Sequence, residues 1–193
     1  MKAMSKILIL FGIILCVVNI YSQNSEILTD TRDGKSYKTV VIGTQTWMAQ
    51  NLDFECKGSF CNYCDKFGRL YKYNVALKAC PSGWHLPNDA EWQAMIDFLG
   101  GNSVAGGKLK VTNMWSTPNT GASNSSGFSA LPAGYSPDGK DIVLMMRTHA
   151  CFWTSTPNGS DAAMKRILFS DKSEISGNSS NRSDGLSVRC IKD

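Results

Sequence analysis

Histidine is scarce in this chain: His85 and His149 are the only two among 193 residues, and neither has a second ligand at zinc-finger spacing. His85 lies between Trp84 and Leu86. His149 stands two places before Cys151, with no carboxylate at a readable spacing to orient it. The catalytic motifs are missing too: there is no nucleophile elbow, phosphate loop or metalloprotease helix. An enzyme is therefore not expected, and no catalytic or metal-ligating set is assigned. A strong charge excess of one sign is also lacking. The 20 basic and 16 acidic side chains give a net +4, which falls to +2 if Lys2 and Lys6 are removed with a leader. That is too sparse for a nucleic-acid face, so no nucleic-acid partner is expected. The longest apolar run, residues 7–18, has twelve residues, whereas a bilayer-spanning helix needs roughly 20.

What is present begins with that run. Basic residues precede it and the small polar stretch Asn19-Ile20-Tyr21-Ser22 follows, the order of a secretory signal peptide cut after Ser22. Cys16 raises lipidation as the lesser alternative, because Leu15 stands before it where a small residue is wanted. Residues 1–22 are thus expected to be a leader and residues 23–32 a polar lead-in. Residues 33–193 then form one domain, secreted or held in the cell envelope, with no membrane span after cleavage. The 42% apolar and 19% charged composition suits a single globular body.

Cys56, Cys61, Cys64, Cys80, Cys151 and Cys190 remain after the leader, an even number in a chain bound for an oxidising compartment. Disulfides are the expectation. Six cysteines allow 15 connectivities. Joining Cys80 to Cys190 would close most of the domain and contribute roughly 4–5 kcal/mol in the chain-entropy treatment. Cys61 and Cys64 can bridge across a turn, which would leave Cys56 for Cys151. Cys56-x4-Cys61-x2-Cys64 also has the spacing of three iron-sulfur ligands. It lacks a fitting fourth, and Lys66-Phe67-Gly68 offers no helix start for a thioredoxin-like pair.

Two β-rich runs, residues 36–42 and 45–49, flank Gly43-Thr44 and predict a hairpin. Residues 68–73 suit a strand or a short helix. The spacing of Trp92, Met95, Ile96 and Leu99 predicts a helix over 89–99, capped by Asn88 with Glu91 three residues on and ended by Gly100-Gly101. Trp92 is assigned to the core. A short amphipathic piece follows at 105–111, then a polar loop at 117–127. Strands are expected at 128–133, 142–146, 151–154, 162–169 and 186–191, with a loop at 176–184. The sum is an α+β domain of mostly antiparallel short strands with one or two helices.

The stretch Cys80-Pro81-Ser82-Gly83-Trp84-His85-Leu86-Pro87-Asn88-Asp89-Ala90-Glu91-Trp92 carries a resemblance. With Thr46-Trp47-Met48-Ala49-Gln50-Asn51-Leu52, Gly127-Phe128-Ser129-Ala130-Leu131-Pro132-Ala133-Gly134, Phe152-Trp153-Thr154 and Ser187-Val188-Arg189-Cys190, it resembles the Fibrobacter succinogenes major paralogous domain over about residues 33–192. The resemblance implies an exported bacterial protein, often a lipoprotein, with no established activity. It also implies a disulfide-stabilised C-type lectin-like fold, shared in outline with formylglycine-generating enzymes. Those oxidases carry a close cysteine pair near the domain end, whereas Cys190 stands alone, so that activity is the disfavoured alternative.

Loops on such a scaffold carry recognition, which points to a ligand-binding or surface-interaction module, with a purely structural surface or matrix protein as the alternative. The candidate ligand-binding residues are Trp115, Asn119, Asn124, Trp153, Asn178 and Asp184. The partner would be a glycan or a surface protein. Burial is the competing role for both tryptophans. Calcium would suit the Asn and Asp content, but the lectin tripeptides Glu-Pro-Asn, Gln-Pro-Asp and Trp-Asn-Asp are absent, so no cofactor is assigned.

Overall fold

In the computed structural model, residues 26–193 are described; the expected leader and Cys16 lie outside the described residues. The predicted hairpin forms from β2 (Ser36–Ile42) and β3 (Gln45–Met48), paired from Thr39 with Met48 to Ile42 with Gln45. Alternation turns Val40, Ile42 and Trp47 into the core. Outside β2 runs β1 (Ile27–Thr29). Beyond β3 come β11 (Ile191–Lys192) and β6 (Trp84–His85), completing an antiparallel sheet of order β1-β2-β3-β11-β6.

A second sheet has the order β4-β5-β10-β7-β8-β9. Its strands are β4 (Ser59–Phe60), β5 (Leu70–Lys72), β7 (His149–Asn158), β8 (Ala162–Phe169), β9 (Ile175–Asn181) and β10 (Gly185–Ser187). All its pairings are antiparallel except that of β10 with β7, at Ser187 and Phe152.

Four α-helices occur among the described residues, two of them single turns: α1 (Cys64–Phe67), α2 (Tyr73–Ala76), α3 (Asp89–Phe98) and α4 (Asn102–Leu109). In α3 the predicted cap is reciprocal: the Glu91 amide donates to Asn88 Oδ1 at 2.9 Å and the Asn88 amide to Glu91 Oε2 at 2.7 Å. Trp92, Met95 and Ile96 are buried as expected. Helix α4 contains Gly106 and Gly107 in its interior, where glycine costs about 1 kcal/mol against alanine. Close backbone approach explains the first: a Cβ on Gly106 would lie 2.2 Å from the Glu174 carbonyl oxygen.

Three expectations are corrected. Residues 128–133 and 142–146 are irregular, touched only by isolated bridges at Ala130 and Leu144. The carbonyls of Phe128 and Ser129 accept from Arg189 instead of joining a ladder. Residues 176–181 are strand, not loop, paired to β8 from Leu168 with Ile175 to Ala162 with Asn181. Its Ser and Asn content suits a sheet edge facing water. A helical turn does start at Cys64, behind Tyr63 in the left-handed region.

Cys80 and Cys190 are joined across 110 residues, and Cys61 is joined to Cys64. The third bridge is not formed: Cys56 and Cys151 are free thiols. Cys151 faces the core from β7, and burial pushes its thiol up to about 11. Inside the first core cluster, Trp47, Trp92, Phe128 and Phe152 pack edge to face or tilted at 5.0–5.9 Å between centroids, geometries favoured by the ring quadrupoles.

Candidate functional site

The residues singled out in the sequence are not brought together. Trp115 is 6% and Trp153 0% exposed. Their indole N–H groups donate to the Ala130 and Tyr71 carbonyls at 3.1 and 2.7 Å. Neither ring offers a face to a sugar, which corrects that expectation: each indole satisfies its one donor on backbone and fills core volume. Asn119 and Asn124 hold their own loop, donating from Nδ2 to the Val111 carbonyl and to Ser129 Oγ. Asp184 accepts from the Asp138 amide and from Ser180 Oγ. Asn178 lies exposed on β9, its Oδ1 accepting from the Ser179 amide at 2.8 Å. Among the described residues no group of three His, Cys, Asp or Glu side chains could hold a metal ion.

Two buried cations hold loops in place. The Arg189 guanidinium, fully buried, donates to Asn51 Oδ1 at 2.6 Å and to the carbonyls of Met48, Phe128 and Ser129. It also lies 4.4 Å from the Phe128 ring centroid. Burial pushes it down to about 9. Lys110 Nζ donates to the Thr120, Phe169 and Lys172 carbonyls at 2.7–3.0 Å and sits 5.3 Å from the Trp115 ring. An ammonium has three donors, and all three are used. Burial pushes Lys110 down to about 8.

A different place has the form of a binding site. Tyr63, Lys66, Phe67, Met114, Met146 and Arg147 line a cavity of about 380 Å³, within the range of small-molecule sites, roughly 300–1,000 Å³. Its floor belongs to a small apolar cluster apart from the main core, in which Met114 and Met146 pack against Phe67, Leu70 and Ala133. Tyr63 stands on the rim, 58% exposed.

The backbone there is unusual. Among the described residues, eight non-glycine residues have positive φ. Three are Asn or Asp, which visit that region readily, and one is Ser129, whose amide donates to Asn124 Oδ1. The other four are Tyr63 (φ 60°), Met114 (70°), Met145 (57°) and Arg147 (67°). Three of these line the cavity and the fourth adjoins it. Each costs on the order of 1–2 kcal/mol in that conformation.

Hydrogen bonds hold them there. The Tyr63 carbonyl accepts from the Lys66 and Phe67 amides, the Arg147 amide donates to the Pro132 carbonyl, and the Arg147 carbonyl accepts from the Ser116 amide. The Cys61–Cys64 bridge spans Tyr63. Gly68 closes α1 with φ 73°, and a Cβ there would lie 2.6 Å from Asn51 Cβ, so the turn is pinned against the hairpin's exit.

Sequence reasoning missed all six lining residues. The available signal was the run Ile142 to Met146, expected as a strand, with Arg147 directly after it. A neighbouring polar cleft of about 240 Å³ shares Lys66 and includes Lys35 and Asp53. There Lys35 pairs with Asp53 at 2.5 Å.

No curated protein and no solved structure matches this chain. The sequence model of the Fibrobacter succinogenes major domain matches residues 40–192. That span takes in both sheets apart from β1 and the start of β2, both disulfides and every cavity residue, and the chain belongs to the Fibrobacter succinogenes major domain family.

Proposed function

We propose that the protein is an exported, non-catalytic binding module of C-type lectin-like architecture, acting in the cell envelope or outside the cell. Its ligand seats in the cavity between Tyr63, Met114 and Met146. The observation that carries this reading is the concentration of bulky left-handed residues around one cavity. Backbone held in costly conformations gathers where a fold positions groups for recognition, and elsewhere among the described residues the non-glycine positions of this kind are two Asn, one Asp and one Ser. Two methionines in the wall supply polarizable surface that adapts to a guest. The leader motif, and a disulfide between Cys80 and Cys190 suited to an oxidising compartment, support export.

Screening the purified protein by NMR against a set of fluorinated fragments tests the site. Hits are expected that disappear in Met114→Glu, provided that variant keeps the wild-type melting temperature; Tyr63→Ala serves as a second, less invasive variant. An empty screen, or hits indifferent to both substitutions, overturns the reading. Intact mass of the native protein tests export. A chain beginning at Gln23 is expected, and retention of Met1 contradicts it.

A further inference from the structure

We propose that this cavity takes a monoanionic amphiphile, an aromatic ring or short alkyl chain ending in one carboxylate. The inference rests on the cavity being the ligand site and adds the chemistry of the guest. Phe67, Met114 and Met146 give the wall its apolar part. Lys66 and Arg147 are the charged residues lining it, and no carboxylate is among the lining residues. Both cations are exposed, and neither side chain has a hydrogen bond or ion pair among the described residues.

The contrast with the surroundings is sharp. Lys35 and Arg69 lie within 2.5–3.6 Å of Asp53 or Glu55. Two unmatched positive charges beside an apolar floor create a field that an anionic head satisfies, and low-dielectric walls strengthen it. The arginine fork can accept a carboxylate through two parallel hydrogen bonds, while the lysine adds a point charge. Arg147 is also fixed at its backbone, by the Ser116 amide at 2.7 Å on one side and the Pro132 carbonyl at 2.9 Å on the other. Its side chain therefore springs from a defined place on the rim, which lowers the ordering cost on binding. A cavity of about 380 Å³ suits one ring with a short tail.

Two sources share this chemistry: a free organic acid, and the C-terminal carboxylate of a peptide ending in an apolar residue. Calorimetric or NMR titration distinguishes them, using 4-phenylbutyrate and octanoate against their primary amides, and a short peptide ending in Phe with a free against an amidated C-terminus. The acids are expected to bind on the order of tenfold more tightly than the amides, a difference of ~1.4 kcal/mol. That preference should weaken with added salt. It should vanish in the double variant Lys66→Gln, Arg147→Gln, whose melting temperature should stay at the wild-type value because both side chains are exposed and unpaired. Equal affinity for acid and amide overturns the anion inference but leaves the site standing. Failure of every probe to bind overturns both. A double variant that folds and keeps the acid preference places the anion elsewhere and also overturns it.

Discussion

Each of the two disulfides marks a region with its own physical character. Cys80–Cys190 ties β11 to the chain before β6, beside the packed core where Trp47, Trp92, Phe128 and Phe152 meet and where Arg189 has every polar neighbour it needs. Cys61–Cys64 ties one turn of chain at the cavity rim. There bulky residues take left-handed backbone, two cations go unmatched and a tyrosine stands in water. In the first region the local choices agree with the fold, save for the Trp92 indole N–H, buried without a partner among the described residues. In the second several do not, and such conflict is expected where structure serves recognition rather than stability.

The largest test of this contrast removes each bridge in turn. By loop-closure entropy, Cys80→Ser with Cys190→Ser should lower unfolding free energy by about 5 kcal/mol, and Cys61→Ser with Cys64→Ser by about 2 kcal/mol. Urea denaturation measures both. The second pair should also weaken ligand binding, since it frees Tyr63, whereas an equal loss from both pairs would erase the distinction.

Next come the two arginines. Arg189→Met should cost about 3–4 kcal/mol, because the carbonyls of Met48, Phe128 and Ser129 and Asn51 Oδ1 lose their donor in a dry interior. Arg147→Gly should instead fall within about 1 kcal/mol of wild type, on the stabilising side, because glycine takes φ 67° without the Cβ clash. A loss larger than that from Arg147→Gly, read in the same denaturation curves, would show that the rim backbone is not strained.

The smallest effect lies in His85, whose ring nitrogens meet Glu91 Oε1 at 2.9 Å and Asp193 Oδ1 at 2.6 Å. Partial burial works against the charged ring, but the hydrogen bonds to Asp193 and Glu91 outweigh it and raise the pKa above the ordinary value. The folded chain therefore holds this proton more tightly than the unfolded one. The stabilisation is fully present below roughly pH 6.5 and fades as pH rises through the folded value. Because the side chain is 42% exposed, the gain is a fraction of a kcal/mol. The melting-temperature gap between wild type and His85→Gln should be open near pH 5.5 and closed near pH 8.5; a gap that widens with pH would contradict this sign.

What the sequence made legible was local. Helix α3 announces itself through Asn88, Glu91 and a periodic apolar face, and β8 was bounded correctly at Ala162 and Phe169. Strand β9 escaped because its pairing is made by backbone, while its Ser and Asn side chains read as loop. Lys110 and Arg189 escaped because a charge reads as surface, and the carbonyls that justify burying them lie 10 to 141 residues away along the chain. The cavity draws on three separate segments, around Tyr63, Met114 and Met146, and its backbone runs against the preference of those residues. No local pattern encodes such a meeting. The tryptophans chosen as ligand platforms proved to be core for the ordinary reason that indole is mostly hydrocarbon.

The most direct measurement is a methionine-methyl NMR spectrum recorded with and without 4-phenylbutyrate. The methyls of Met114 and Met146 should shift on titration while those of Met48 and Met95, fully buried in the two larger core clusters, stay fixed. Silent cavity methyls, or a shift spread equally over all four, would contradict the assignment of recognition to the Tyr63 rim.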